Sequence, residues 1–354
     1  MSSSPEIPEK MKQMVVLEGG STVKECKLEI REVDVPKPQS HEVLVKMVAA
    51  AVNPSDYGSW KTAKKNDDGL AIGNEGSGIV VAIGSGLLTK ARVSIGQKVG
   101  VVGPKNNQGT YSEYVTVSAT DGFFPLPDDL PVEDGASFFV NPYTVLGIMD
   151  TAKTTHNSKA LVHTAAASQL GQMMVKLSNN SELTNGVEII NVVRRAEQVK
   201  LLEELGAKHI INSSDSDWKD QLQTKIKELE CTVAFDAVAG SSSGDILSCL
   251  PNGGTLYVYG GLAGSCRDIN PMDLIYRRKD VKGFFLRSWV TSGGLLYTIL
   301  RMAMAGRKVN AGLGKDGWAS SQFKDVSLEK MQEECAGLLD SGATGIKLRV
   351  RFDE

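Results

Sequence analysis

Residues 160–178 read ALVHTAAASQLGQMMVKLS. The apolar run Ala160 to Thr164 leads through three alanines and a serine into apolar positions at Leu170, Met173, Met174 and Leu177. A short continuous run followed by helical spacing reads as strand, tight turn, helix. In a dinucleotide-binding turn, small residues let the backbone approach a pyrophosphate, whose charge rests at the helix N-terminus. Ala165, Ser168 and Gly171 hold the three spaced positions that glycines occupy in such turns. Glycine is required only where φ is positive or a side chain collides, so alanine and serine serve here if those angles are negative. An ordinary small-residue strand-to-helix turn has the same letters, and the stretch alone leaves both readings open.

The surroundings favour the nucleotide. Twenty-three residues beyond Gly171, at the end of the next apolar run, comes Arg194 in NVVRRAEQ. An acid near this point selects the ribose hydroxyls of NAD, whereas arginine suits a 2′-phosphate. Arg194 and Arg195 therefore point to NADPH, the alternative being a solvated helix start. The runs KALVHT, GVEIINVV, KHIIN, TVAFDAV, GTLYVYGG and VKGFFL alternate with segments mostly of helical periodicity. That alternation predicts a doubly wound α/β domain with a parallel sheet, over residues 140–288.

Residues 11–135 instead carry short β-like runs cut by glycine and proline, the pattern of an irregular, mostly antiparallel β domain. The C-terminal GIKLRVRF resembles one more strand returning to it, so this domain is expected to be discontinuous, 1–139 with 289–354. The first ten residues are expected to form a loose tail.

Composition bounds the partners. The 354 residues are 41% hydrophobic and 23% charged, with a net charge of -3 and no long basic run, which argues against nucleic acid. No apolar stretch approaches the roughly 18 residues of a membrane span, and the N-terminus lacks a signal-peptide core. Five scattered cysteines without a CxxC pair read as reduced thiols in a cytoplasmic chain, with an organelle as the other location. His163, at the end of the first strand of the parallel domain, is expected to be packed or backbone-bonded. No Gly-x-Ser-x-Gly elbow supports a hydrolase.

VNPSD (52–56), GNEGSG (73–78), GTYSEYV (109–115), VNPYT (140–144), the opening turn, INVVR, LGAKHIIN, FDAVAG, LYVYGG and VKGFFLRSW occur in order between residues 52 and 289. On these pieces the chain resembles the medium-chain dehydrogenase/reductase superfamily, in its zinc-free branch of quinone oxidoreductases and mitochondrial-type 2-enoyl thioester reductases. The resemblance implies a Rossmann sheet, a GroES-like catalytic domain and an NADPH-dependent reductase. It places Asn141 and Thr144 near the nicotinamide ribose, Ala167, Ser168, Gln169, Leu170 and Gly171 at the pyrophosphate, and Arg194 and Arg195 at the 2′-phosphate. Tyr259, Gly260, Gly261 and Leu262 follow the fifth strand, Phe284, Phe285 and Leu286 lie beside the carboxamide, and Lys347 closes the cofactor site. For Tyr259 and Phe284 plain core packing is the other reading.

Zinc-dependent members of the superfamily place ligands where this chain has Asn53 and Asn74, and a neutral amide is a poor substitute for thiolate or imidazole. No metal is expected. Thioester reductases of this type carry a tyrosine proton donor about eleven residues after the asparagine of NPSD. Here that position is Lys64, which leaves Tyr57, with Asn53, as the candidate catalytic pair. The missing acid favours quinones or small α,β-unsaturated carbonyls as acceptors, because a hydroquinone takes its protons from water. An enoyl thioester reductase and a catalytically idle NADPH-binding protein are the alternatives. The strand within DVKGFFL (280–286) is expected to be an unpaired sheet edge that joins a second copy in a homodimer.

Overall fold

The protein is described by a computed structural model covering residues 7–314, 317–342 and 344–352. The chain divides into two compact units, residues 1–140 with 309–354, and residues 141–308. Of the expected loose tail, residues 1–6 lie outside the described residues, and Lys10 already begins the first strand.

The first unit opens with strands β1 (Lys10–Glu18), β2 (Lys27–Asp34) and β3 (Glu42–Ala51) and helix α1 (Pro54–Thr62). It continues through β4 (Leu70–Ala71), β5 (Glu75–Ile83), α2 (Leu87–Arg92), β6 (Lys98–Val102), β7 (Tyr114–Ser118) and β8 (Phe123–Pro125) to a 3₁₀ turn at Val132–Ser137. Then come α3 (Val140–Asp150), β9 (Ala160–Thr164), α4 (Gln169–Ser178), α5 (Ser181–Thr184), β10 (Glu188–Val193), α6 (Ala196–Glu204) and β11 (His209–Asn212). They are followed by α7 (Trp218–Glu228), β12 (Val233–Asp236), α8 (Ser241–Cys249), β13 (Thr255–Val258), α9 (Pro271–Ile275), β14 (Asp280–Gly283), α10 (Leu286–Thr291) and α11 (Leu295–Gly312). The chain closes with β15 (Phe323–Val326), α12 (Met331–Ser341) and β16 (Lys347–Arg351).

In the first unit a sheet in the order β15-β16-β3-β5-β6-β8, with β7 on β3, is antiparallel except for the pair β15 and β16. The C-terminal GIKLRVRF supplies β16, which pairs with β3. A smaller sheet, β2-β1-β4, accompanies it. Helix α12 packs Met331, Cys335 and Ala336 into a cluster with Trp60, Tyr111 and Val350, so the chain's far end completes the core around α1.

The second unit holds six parallel strands in the order β11-β10-β9-β12-β13-β14, the dinucleotide-binding arrangement. All five residues of β9 are buried, as expected of a central strand covered on both faces. The strand order reverses between β9 and β12, where ligands of such sheets bind beyond the carboxyl ends. This unit extends to Lys308, past the boundary at 288 read from the sequence. Trp289 accounts for part of the difference: its Nε1 donates to Asp150 Oδ2 at 2.7 Å, and its ring lies against Gly147 of α3.

Candidate functional site

The turn between β9 and α4 keeps the backbone of a glycine turn without most of the glycines. Ala165 has φ +51, so the condition of a negative angle, under which alanine fits such a turn without cost, is not met there. An L side chain in this left-handed region costs roughly 1–2 kcal/mol, so the surrounding structure imposes the conformation. Ser168 does take negative φ, at -66, and serves as the N-cap of α4, its Oγ accepting from Gly171 N at 3.2 Å. Gly171 cannot be enlarged, because a Cβ there would stand 2.2 Å from the Ala166 carbonyl oxygen. The backbone run Ala167 to Gly171 is thus a narrow cradle at the start of a ten-residue helix, the feature that fits an anionic pyrophosphate.

At the carboxyl end of β10, Arg194 is exposed and Arg195 forms the N-cap of α6. Arg195 Nε lies 3.0 Å from Glu197 Oε1, and Arg194 is anchored through its backbone, with its N–H on Gln198 Oε1 and its carbonyl accepting from Ser214 Oγ. Asn141 and Thr144 are buried on α3. After β13, Gly260 has no room for a side chain, since a Cβ would meet Ala237 O at 2.7 Å, while Leu262 is exposed.

Two aromatic candidates use their rings for packing. Phe284 meets Phe235 and Tyr257 edge-on, and its N–H donates to Val258 O. Phe285 and Leu286 follow it, the former exposed and the latter opening α10. The Tyr259 hydroxyl reaches His163 Nε2 at 2.6 Å, and the two rings stack. His163 is therefore bonded to a side chain rather than to backbone, and its Nδ1 has no partner. Burial lowers its pKa to about 3 and raises that of the Tyr259 phenol.

Sequence reasoning missed the groups that shape the switch point. Asp236, ending β12, accepts from Thr164 Oγ1, Val238 N, Ala239 N and Ser243 Oγ at 2.7–3.2 Å. It fixes the turn in which Ala239 and Gly240 both take positive φ. The only signal was its place after an apolar run, in FDAVAG.

In the first unit, Asn53 and Tyr57 sit at the N-terminal end of α1 and Lys347 at the start of β16. Lys347 Nζ donates to Asn53 Oδ1 at 2.7 Å and to Ser137 Oγ at 2.9 Å, and lies 4.0 Å from Glu75 Oε1. Asn53 Nδ2 donates to Glu75 Oε1, whose other oxygen accepts from the N–H groups of Phe139 and Val140. Asn53 N and Asn74 Nδ2 each donate to Asp56 at 2.7 Å. The amide nitrogens of Asn53 and Asn74 thus face carboxylates of the chain itself. Burial, then repulsion from Glu75, pushes Asp56 up to about 7, against the pull of the Asn53 N–H and Lys347. Burial lowers Lys347. The Tyr57 ring packs on the cluster around Trp60, and burial raises its phenol to about 12. Lys64 is exposed. Neither Asp56 nor Glu75 was picked out as a functional group from the sequence, although both stand inside the quoted motifs VNPSD and GNEGSG.

Comparison with known proteins covers most of the chain. The profile of the alcohol dehydrogenase GroES-like domain matches residues 39–128, and that of the zinc-binding dehydrogenases matches residues 170–299. The chain is 29% identical over 274 residues to the mitochondrial enoyl-[acyl-carrier-protein] reductase of Xenopus tropicalis, covering 74% of each. It is 27% identical over 271 residues to the human protein of that name, covering 74% of this chain and 69% of the relative. Among solved structures, a Mesorhizobium loti chain assigned as an NADPH:quinone reductase superposes with a TM-score of 0.82 at 27% identity, over 98% of this chain and 100% of that one. The Escherichia coli quinone oxidoreductase complexed with NADPH shares the fold, with a TM-score of 0.77 at 19% identity over 96% and 100%.

Proposed function

Because the chain belongs to the medium-chain dehydrogenase/reductase superfamily, in its branch of quinone oxidoreductases and enoyl thioester reductases, we propose that it is a metal-independent NADPH-dependent reductase of quinones and small α,β-unsaturated carbonyls. It is a reductase of the NADPH-dependent quinone and enoyl type. The choice of acceptor and the independence from zinc are the proposal.

The observation that carries it is the donor set at Asn53 and Asn74, two amides held by Glu75 and Asp56. With their nitrogens donating to carboxylates and Asn53 Oδ1 accepting from Lys347, these neutral amides are weak metal ligands. The residues fit the cofactor: the Ala167–Gly171 cradle receives the pyrophosphate, Arg194 and Arg195 the 2′-phosphate, and Asn141, Thr144, Gly260, Gly261 and the backbone of Phe284 to Leu286 border the nicotinamide end. In this reading Tyr259 acts through His163, to which its hydroxyl is bonded, and Lys347 through Asn53. NADPH supplies the hydride. Charge developing on the acceptor oxygen then needs hydrogen-bond donors, which a preorganised polar site provides.

Quinones are favoured because Lys64 stands where the family's tyrosine acid belongs and Tyr57 is a weak, packed phenol. General acid catalysis typically supplies about 10² to 10⁴ in rate, so its loss falls on enoyl thioesters and spares quinones. Steady-state oxidation of NADPH with a 1,4-quinone and with an enoyl-CoA tests the proposal. We expect the quinone to turn over at least about tenfold faster and Tyr57→Phe to leave it within a fewfold. Faster turnover of enoyl-CoA, abolished by Tyr57→Phe, supports the thioester reading that the curated relatives favour. In the same assay Arg194→Ala should weaken NADPH by about tenfold and leave NADH nearly unchanged, because a charge-assisted pair to phosphate is lost.

A further inference from the structure

Helix α11 is apolar on two sides. Thr298, Met302, Ala305 and Val309 recur at helical spacing and turn inward, the first two half-buried and the last two buried. That inward side is already occupied, since a Cβ on Gly306 would stand 3.3 Å from the Tyr143 hydroxyl of α3. A surface helix normally carries polar side chains on its other side. Here Leu295, Leu296, Tyr297, Ile299, Leu300 and Met304 are 52–77% exposed. Single exposed leucines are ordinary, whereas these residues fall within about three turns of one helix and form a patch. The helix is held against rolling the patch inward. Gly293 and Gly294, with φ +88 and +89, reverse the chain between α10 and α11. Arg301 then ties the two helices, donating to the carbonyls of Trp289, Val290 and Ser292 with its guanidinium over the Trp289 ring. Trp289 is in turn bonded to Asp150 of α3.

Charge identifies the cover. From Val281 to Gly314 the chain has five basic residues and no acidic one, in a protein of net charge -3. Lys282 pairs with Asp280 and Arg301 is engaged by carbonyls, but Arg287, Arg307 and Lys308 meet no carboxylate among the described residues. Arg307 stands one turn beyond Ala303 and Met304 on the exposed side. A second copy seated here about a two-fold axis would set the patch against itself and bring these cations together. An anionic lipid surface instead takes aliphatic side chains at its acyl boundary and cations at its headgroups. The helix is not long and apolar enough to cross a bilayer, so it would lie in the plane of one. We propose that the outward face of α11 is a docking surface for membranes containing anionic lipid, with Leu296, Leu300 and Met304 entering the acyl boundary and Arg307 and Lys308 meeting the headgroups. The docking is independent of the acceptor proposed above.

Co-sedimentation of the full chain with large vesicles tests it. Vesicles of phosphatidylcholine containing about one third phosphatidylserine should bind the protein at least about tenfold more tightly than phosphatidylcholine alone, and should release most of it at about 1 M salt, where surface charges are screened. Leu296→Gln with Leu300→Gln and Met304→Gln should weaken binding at least about tenfold. Because these side chains are exposed, the thermal midpoint and the molar mass of that variant should stay those of the wild type. Arg307→Glu with Lys308→Glu should abolish the preference for phosphatidylserine. A wild type that stays in the supernatant with both kinds of vesicle overturns the proposal, and so does a glutamine variant that binds as well as the wild type. If the wild type ignores vesicles and the glutamine variant halves the mass seen by light scattering, the face joins subunits and the proposal is overturned in favour of that interface.

Discussion

Ala165 sits in the left-handed region that glycine occupies without cost, and nothing in its own letter discloses this. The conformation is imposed by Gly171, which brings α4 against the Ala166 carbonyl, and by the Ser168 cap. Ala165→Gly should therefore raise the unfolding free energy, by about 0.5–1 kcal/mol after the extra entropy of a glycine is offset, as measured by urea titration. A second residue sets a pH dependence. His163 has a folded pKa of about 3, below its unfolded value, so the stability it contributes is present above about pH 6.5 and lost as pH falls towards 3. Asp56 works the other way: its folded value of about 7 lies above the unfolded one, so acidification from pH 7 stabilises the fold and masks the loss. The two are separated by His163→Gln, which should gain about 2 kcal/mol on the wild type between pH 7.5 and pH 5.

At the scale of elements, the parallel strands were legible because each is a compact apolar run, and β16 because GIKLRVRF alternates at the chain's end. The doubly wound class follows from the alternation of those runs with helical segments, whereas the order β11-β10-β9-β12-β13-β14 had to come from the structure. What periodicity could not show is the partnership of side chains far apart in sequence: Asp56 with Asn74, and Lys347 with Asn53 at a separation of 294 residues. Motif letters place those residues in the site but leave out which neighbour each bonds. Strand β14 was legible as the last of its sheet, and among the described strands it pairs only with β13. Ile275 and Tyr276 before it and Phe285 after it are 63%, 76% and 65% exposed. We expect two copies to join along this edge around a two-fold axis, since an unpaired strand edge flanked by exposed apolar side chains invites pairing. Light scattering at micromolar concentration should report a dimer, and Ile275→Lys with Tyr276→Lys should shift it to monomer.

For the molecule as a whole, metal content is the most direct check on the proposed chemistry. Among the described residues no helix is long and apolar enough to cross a membrane, and no group of three His, Cys, Asp or Glu is placed to hold a metal ion. The proposal itself stands on the amides of Asn53 and Asn74 and the carboxylates that hold them. Elemental analysis should find zinc well below one per chain, and quinone turnover should survive a chelator. Stoichiometric zinc that a chelator removes together with activity would overturn metal independence. The same residues make the arrangement hard to reverse. Installing Asn53→Cys and Asn74→His would return two ligands, yet it would also strip Lys347 of its Asn53 acceptor and leave a buried ammonium beside the incoming cation. A protein engineer, or an evolving lineage, would have to replace Lys347 first, and that step removes the positive neighbour of Glu75 before any metal arrives to compensate. Each route back passes through a less stable intermediate, so on the proposed chemistry the lysine on the last strand acts as a ratchet for this chain.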